Sequence, residues 1–186
     1  VESVYSGKNQ QFLQTLAGGL KLVLLLIIPA TVGIAVLARP IVQLVFEHGL
    51  FTADNTTVTV QVLLFYLVGV IPAALDLLLV NAFYARQDPL TPALVGLASV
   101  LFYLAVALGL GWVLHRPMQL TDLMIANAAQ LIAHALLMWR LLVRRVGSLN
   151  GQDILPTLLK AISAAIPMGL GAYFLAAGLA QLQLAN

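Results

Sequence analysis

Apolar residues fall in five long blocks, roughly 20–46, 57–84, 92–114, 120–143 and 156–182, parted by short polar runs. Each block exceeds the ~20 apolar residues that carry an α-helix across a bilayer core. The pattern therefore predicts an all-α fold, a polytopic membrane helix bundle of about five transmembrane helices. Residues 1–17 are polar by comparison. Phe12, Leu13 and Leu16 fit one helical face, which suits either an interfacial lead-in or a polar linker to the first span. The domain reading is a lead-in over 1–17 and a transmembrane bundle over 18–186.

Punctuation inside the blocks sets bends and ends. Pro29, Pro72 and Pro167 each remove a backbone hydrogen bond within an apolar block and are candidate hinges. Arg39-Pro40 marks the far interface of the first block, which stops at Glu47-His48-Gly49. Thr52-Ala53-Asp54-Asn55 supplies capping groups for the second block, and Thr121 or Asp122 for the fourth. His48 beside Glu47 is either a proton-responsive pair or, more commonly for such residues, a solvated loop end. Trp112 and Trp139 suit interface depth. Ala161, Ala165, Gly169 and Ala172 line one edge of the last block, suited to close helix packing or to an apolar groove.

The stretch from Thr57 to Pro92 holds the most unusual position. As a helix, Thr57 to Tyr84 spans about 42 Å, and Asp76 lies about 12 Å of rise inside the Tyr84 end. A short carboxylate does not reach the headgroups from that depth. Facing lipid it would cost roughly 2.5–3.5 kcal/mol, so it faces protein or water. Gly69, Pro72, Asp76 and Phe83 share a face. In the fourth block, Asn127, Gln130 and His134 fall at i, i+3 and i+7, one stripe. Asp76, Asn127, Gln130 and His134 are the candidates for a polar cavity or an ion site. The competing reading is interhelical hydrogen bonding, worth about 0.6 kcal/mol per contact.

Composition narrows the class. The chain is 61% hydrophobic and 9% charged, against about 25% charged in a soluble domain. There is no cysteine, which removes disulfides and thiol chemistry. Ser99 sits in no nucleophile elbow, and no HExxH zinc motif occurs, so neither an enzyme nor a metal site is expected. Of the basic residues only Arg140, Arg144 and Arg145 cluster, so no nucleic-acid partner is expected. Alternating spans place Lys8, Lys21, Arg86, Arg140, Arg144, Arg145 and Lys160 on one side, and Arg39 and Arg116 on the other. That bias puts the N-terminus in the cytoplasm and the C-terminus outside. The chain opens at Val1 with no signal peptide, and the expectation is a piece of a longer protein.

Two segments carry a family resemblance. Pro40-Ile41-Val42-Gln43-Leu44-Val45-Phe46-Glu47-His48-Gly49-Leu50-Phe51 resembles the PI…LF…G…F signature of MurJ (MviN) lipid II flippases. Phe83-Tyr84-Ala85-Arg86-Gln87-Asp88-Pro89-Leu90-Thr91-Pro92 resembles their FYA…D…TP turn. The motif positions are Pro40, Phe46, Gly49, Phe51, Phe83, Tyr84, Asp88, Thr91 and Pro92. The resemblance implies one half of a two-lobed bundle working by alternating access in the bacterial plasma membrane. It implies membrane lipid, a lipid-linked peptidoglycan precursor and an N-terminal lobe of the same protein as partners. No cofactor is expected; Asp76, which repels a diphosphate, suits a coupling cation or proton instead. Family members often carry a basic residue in the helix before the FYA turn, where this chain has Asp76 and Leu77. The alternatives are a polysaccharide or multidrug exporter of the same superfamily, and a membrane scaffold for cell-wall enzymes.

Overall fold

The computed structural model describes residues 2–147 and 152–184, with side chains described for 9–147 and 152–178. Among the described residues all regular structure is helical: α1 (Glu2–Val36), α2 (Ala38–Phe46), α3 (Ala53–Ala85), α4 (Leu90–Val113), α5 (Leu120–Val146) and α6 (Ile154–Leu184). Five of them, all but α2, are long and apolar enough to cross a membrane.

The first block behaves differently from its sequence pattern in two places. Residues 2–17 are the opening turns of α1 itself, continuous with the first span. Leu16 and Ala17 are buried, and Phe12 and Leu13 pack against the same core, because all four share the face that meets α3 and α5. The block is also divided at Leu37 (φ −94°, ψ 9°), between α1 and α2. Pro40 explains the break. It has no N–H for the Val36 carbonyl, its ring crowds that carbonyl, and it sits in the first turn of α2, where a missing donor costs least. The chain bridges the break with Leu37 N–H to Gly33 O (3.0 Å) and Ile41 N–H to Leu37 O (2.9 Å). Pro29, Pro72 and Pro167 lie inside uninterrupted helices.

The helices pack in the order α6, α1, α3, α5, α4, with α2 laid on the start of α3. Small residues set the closest approaches. A Cβ on Gly69 of α3 would lie 2.8 Å from Leu131 Cδ1 and 3.3 Å from Ala128 Cα. Seven residues further along α3, Asp76 meets His134, so residue numbers rise together and α3 and α5 run parallel. On α6, Ala161 and Ala165 are buried against Leu24 and Ile28, and Gly169 fits beside Val32 and Val36. The small-residue edge of α6 is therefore a packing edge against α1.

α3 starts from Thr52 in extended conformation, but the Thr52 side chain makes no cap hydrogen bond, so the capping expected from residues 52–55 is not seen there. α5 starts from Gln119 rather than Thr121 or Asp122. Asp122 sits three residues in, where its carboxylate accepts from Gln119 N–H at 2.9 Å and from Arg116 at 2.8 and 2.9 Å. The Arg116–Asp122 pair leaves the carboxylate facing the helix's unpaired N–H groups, a position favoured for anions.

Gly69→Ala is expected to destabilise the detergent-solubilised bundle by about 1–3 kcal/mol, because the added methyl meets backbone as well as side chain. Gly96→Ala, with nothing within 4 Å of its Cβ, is expected to be neutral or stabilising by up to about 1 kcal/mol. Equal melting temperatures for the two variants would contradict the α3–α5 contact.

Candidate functional site

Two polar features stand out, one deep in the bundle and one at its arginine-rich end. In the deep one, His134 Nδ1 lies 2.8 Å from Asp76 Oδ1, and the side chains are 11% and 17% exposed. The contact falls outside hydrogen-bond alignment, so Asp76 Oδ1 has no aligned donor. On its own two helices the pair has no charged residue close by. The nearest charged residue along α3 is Arg86, about 15 Å of rise away, and along α5 it is Arg140, about 9 Å away. A carboxylate so placed is tolerable only with a partner, and the parallel seam supplies His134.

The other predicted polar positions lie apart from this contact. Asn127 and Gln130 are half-buried on α5. Pro72 lines an apolar cavity of about 190 Å³ between α1, α3, α5 and the start of α6, walled by Leu20, Leu24, Leu75, Leu79, Leu136 and Trp139 among others. A recess of about 300 Å³ between α1 and α3 is lined by Phe12, Thr15, Leu16, Gly19, Leu78, Asn81 and Ala82. Neither space is lined by Asp76, Asn127, Gln130 or His134.

At the other feature, the α3–α4 turn folds around Asp88. Asp88 N–H donates to Phe83 O at 3.0 Å, and Gln87 takes a left-handed conformation (φ 58°). The Asp88 carboxylate accepts from Thr91 N–H (3.1 Å) and from the Thr91 hydroxyl (2.6 Å). It also pairs with the Arg145 guanidinium. Arg145 donates from Nη2 to Thr91 Oγ1 at 2.9 Å, and its Cζ stands 5.5 Å from the centroid of the Phe83 ring. Phe83 and Pro92 are buried and Tyr84 is exposed. At the opposite end, Phe46 and Phe51 rings lie 5.9 Å apart across the turn, and Gly49 (φ +63°) makes that turn possible. Pro40 is exposed there.

Sequence reasoning missed two contacts. Arg145 was legible only as part of a cationic boundary, since its partner Asp88 lies 57 residues away. An acid fixed inside a turn motif, with three arginines ending one helix, was the available signal. Glu47, read with His48 as a loop end, instead accepts from the Thr56 hydroxyl at 2.6 Å, and Thr56 is fully buried. Ser99 donates its hydroxyl to Val95 O at 2.8 Å, a structural use.

Five helices long and apolar enough to cross a membrane, an acid–imidazole pair between two of them and a stapled turn define a multi-pass membrane helix bundle. A family profile described as lipid II flippase MurJ matches residues 2–184, and the chain belongs to that family. It is 29% identical over 163 residues to the probable lipid II flippase MurJ of Haemophilus influenzae, covering 88% of this chain and 31% of that relative. It is 29% identical over 162 residues to the probable lipid II flippase MurJ of Bdellovibrio bacteriovorus, covering 87% of this chain and 30% of that relative. A solved structure titled lipid II flippase MurJ, inward closed conformation, is similar in fold (TM-score 0.70, 20% identity), covering 97% of this chain and 41% of that one. The chain spans about a third of the length of these curated relatives.

Asp76→Asn and His134→Gln are each expected to destabilise the bundle, while the double variant loses less than the sum. The coupling energy from thermal unfolding should be about 1–3 kcal/mol. Strict additivity would mean that the two side chains do not interact.

Proposed function

We propose that this chain is the second-lobe portion of a lipid II flippase, moving lipid-linked peptidoglycan precursor across the bacterial plasma membrane by alternating access. The observation that carries the reading is the family match over residues 2–184, which includes the Pro40–Phe51 and Phe83–Pro92 motifs. The physical problem is the transfer of a diphosphate-bearing headgroup, since an unpaired charge in hydrocarbon is very costly. A polar route between two lobes removes that barrier and leaves the lipid tail in the bilayer. The other lobe is supplied by the remainder of the same protein, and the mechanism is non-catalytic. The arginine-rich end, with Arg86, Arg144 and Arg145, faces the cytoplasm, as does the N-terminus, and the C-terminus lies outside.

Within this portion, Asp76 and His134 form the polar centre, and Asn127 and Gln130 are further polar positions on α5 that do not join that contact. An acid repels a diphosphate, so Asp76 serves the coupling cation or proton rather than the substrate. Pro29, Pro72 and Pro167 each leave a carbonyl without its helical partner and mark where the helices bend as the lobes rock.

In a full-length background, the wild-type gene is expected to restore growth to cells depleted of their flippase. Asp76→Asn is expected to slow flipping by about tenfold or more, as when ~1.4 kcal/mol is lost from the limiting step. Failure of the wild type to complement would overturn the substrate assignment. Full activity of Asp76→Asn, with unchanged ion dependence, would remove the pair from the mechanism.

A further inference from the structure

We propose that Arg145 is the positioning residue of a fixed pivot, so that α1, α3, α4 and α5 stay joined at the arginine-rich end and separate at the opposite one. The functional part of this inference rests on the transport reading above. Its structural part rests on where the polar links between residues distant in sequence fall.

Those links concentrate at one end. From the last turn of α5, Arg145 pairs with Asp88, donates to Thr91 at 2.9 Å and stacks over Phe83. One guanidinium thus ties the end of α3, the α3–α4 turn and the start of α4 to α5. Asn9 Nδ2 donates to Val146 O at 2.9 Å, bringing α1 to the same place and satisfying a carbonyl that the end of α5 leaves open. Arg86 of the turn lies 5.8 Å from the centroid of the Phe12 ring on α1. Beneath them Leu16, Leu20, Phe83, Val95, Met138 and Leu142 form one buried cluster drawn from all four helices.

The far end is built differently. Its side-chain links among the described residues are local: Glu47 to Thr56 closes the α2–α3 turn, and Arg116 to Asp122 closes the α4–α5 turn. Each closes a turn between residues 9 or 6 positions apart, whereas the Arg145 and Asn9 links join residues 54 to 137 positions apart. Segments held only by local links open at lower free energy than segments tied across the fold. The two ends therefore differ in stiffness, and the fold has one fixed end and one that can spread.

Lysine is a poor substitute in this role. A planar guanidinium bonds Asp88 and Thr91 from separate nitrogens while stacking on Phe83, and a point-charge ammonium does not do all three.

The test is amide hydrogen exchange by mass spectrometry on the full-length protein in nanodiscs, with transport measured on the same samples. Wild type should exchange slowly at residues 84–91 and 143–147, and about tenfold or more faster at 47–53 and 114–119. Arg145→Ala should raise exchange at 84–91 by about tenfold or more, leave residues 161–169 on α6 unchanged, and lower the maximal transport rate without changing the half-saturating concentration. Arg145→Lys should not restore wild-type behaviour, and Asp88→Asn should reproduce the loss. Equal exchange at both ends in wild type would overturn the pivot. So would a uniform rise across the chain in Arg145→Ala, the mark of simple destabilisation, or wild-type behaviour of Arg145→Lys. If the wild type flips no lipid, the transport reading fails alone, and the exchange pattern still decides the pivot.

Discussion

Parallel packing of α3 on α5 is the constraint from which the rest of the bundle follows. In a bilayer, burying apolar surface between helices brings little gain, because lipid tails are as apolar as leucine. Association then depends on close van der Waals contact and on polar groups that find one another. Gly69 supplies the contact, letting the α3 backbone approach Ala128 and Leu131. Asp76 and His134 supply the polar pairing one register further on. Once that seam is set, α1 packs on α3 and α6 on α1, while α4 folds back against α5.

The same constraint explains why the charged residues sit where they do. Asp76 sits too deep for headgroups, so its position is acceptable only where another helix meets it. Asp88 and Asp122 lie at helix starts and take arginine partners, one from a distant helix and one from the preceding turn. Glu47 takes a buried hydroxyl. Acids that would have been costly alone become the fasteners of the fold.

Much of this was legible in the sequence. Apolar block length was enough for the fold class, because a membrane leaves helices few alternatives. The two motifs were enough for the family. Asp76 and His134 were legible singly, from their depth and from the stripe on α5, but nothing in one dimension says that residues 58 positions apart meet. Arg145 and Asp88 share that difficulty. The break at Leu37 was hidden for another reason: Pro40 acts on the carbonyl four residues earlier, so the disruption precedes the residue that causes it. Polarity over 1–17 suggested a separate lead-in. Phe12, Leu13, Leu16 and Ala17, on one face, were enough to draw residues 12–17 into the bundle.

The α3–α5 seam is tested most directly by cysteine cross-linking in native membranes. In an otherwise cysteine-free full-length protein, Asp76→Cys combined with His134→Cys should form a bridge with oxidant or a short bifunctional reagent. Asp76→Cys paired with a cysteine at Trp112, on exposed surface of α4, should not. Efficient bridging of the first pair alone is the predicted result. No bridging of Asp76→Cys with His134→Cys under any condition, in a folded protein, would contradict the seam and the account built on it.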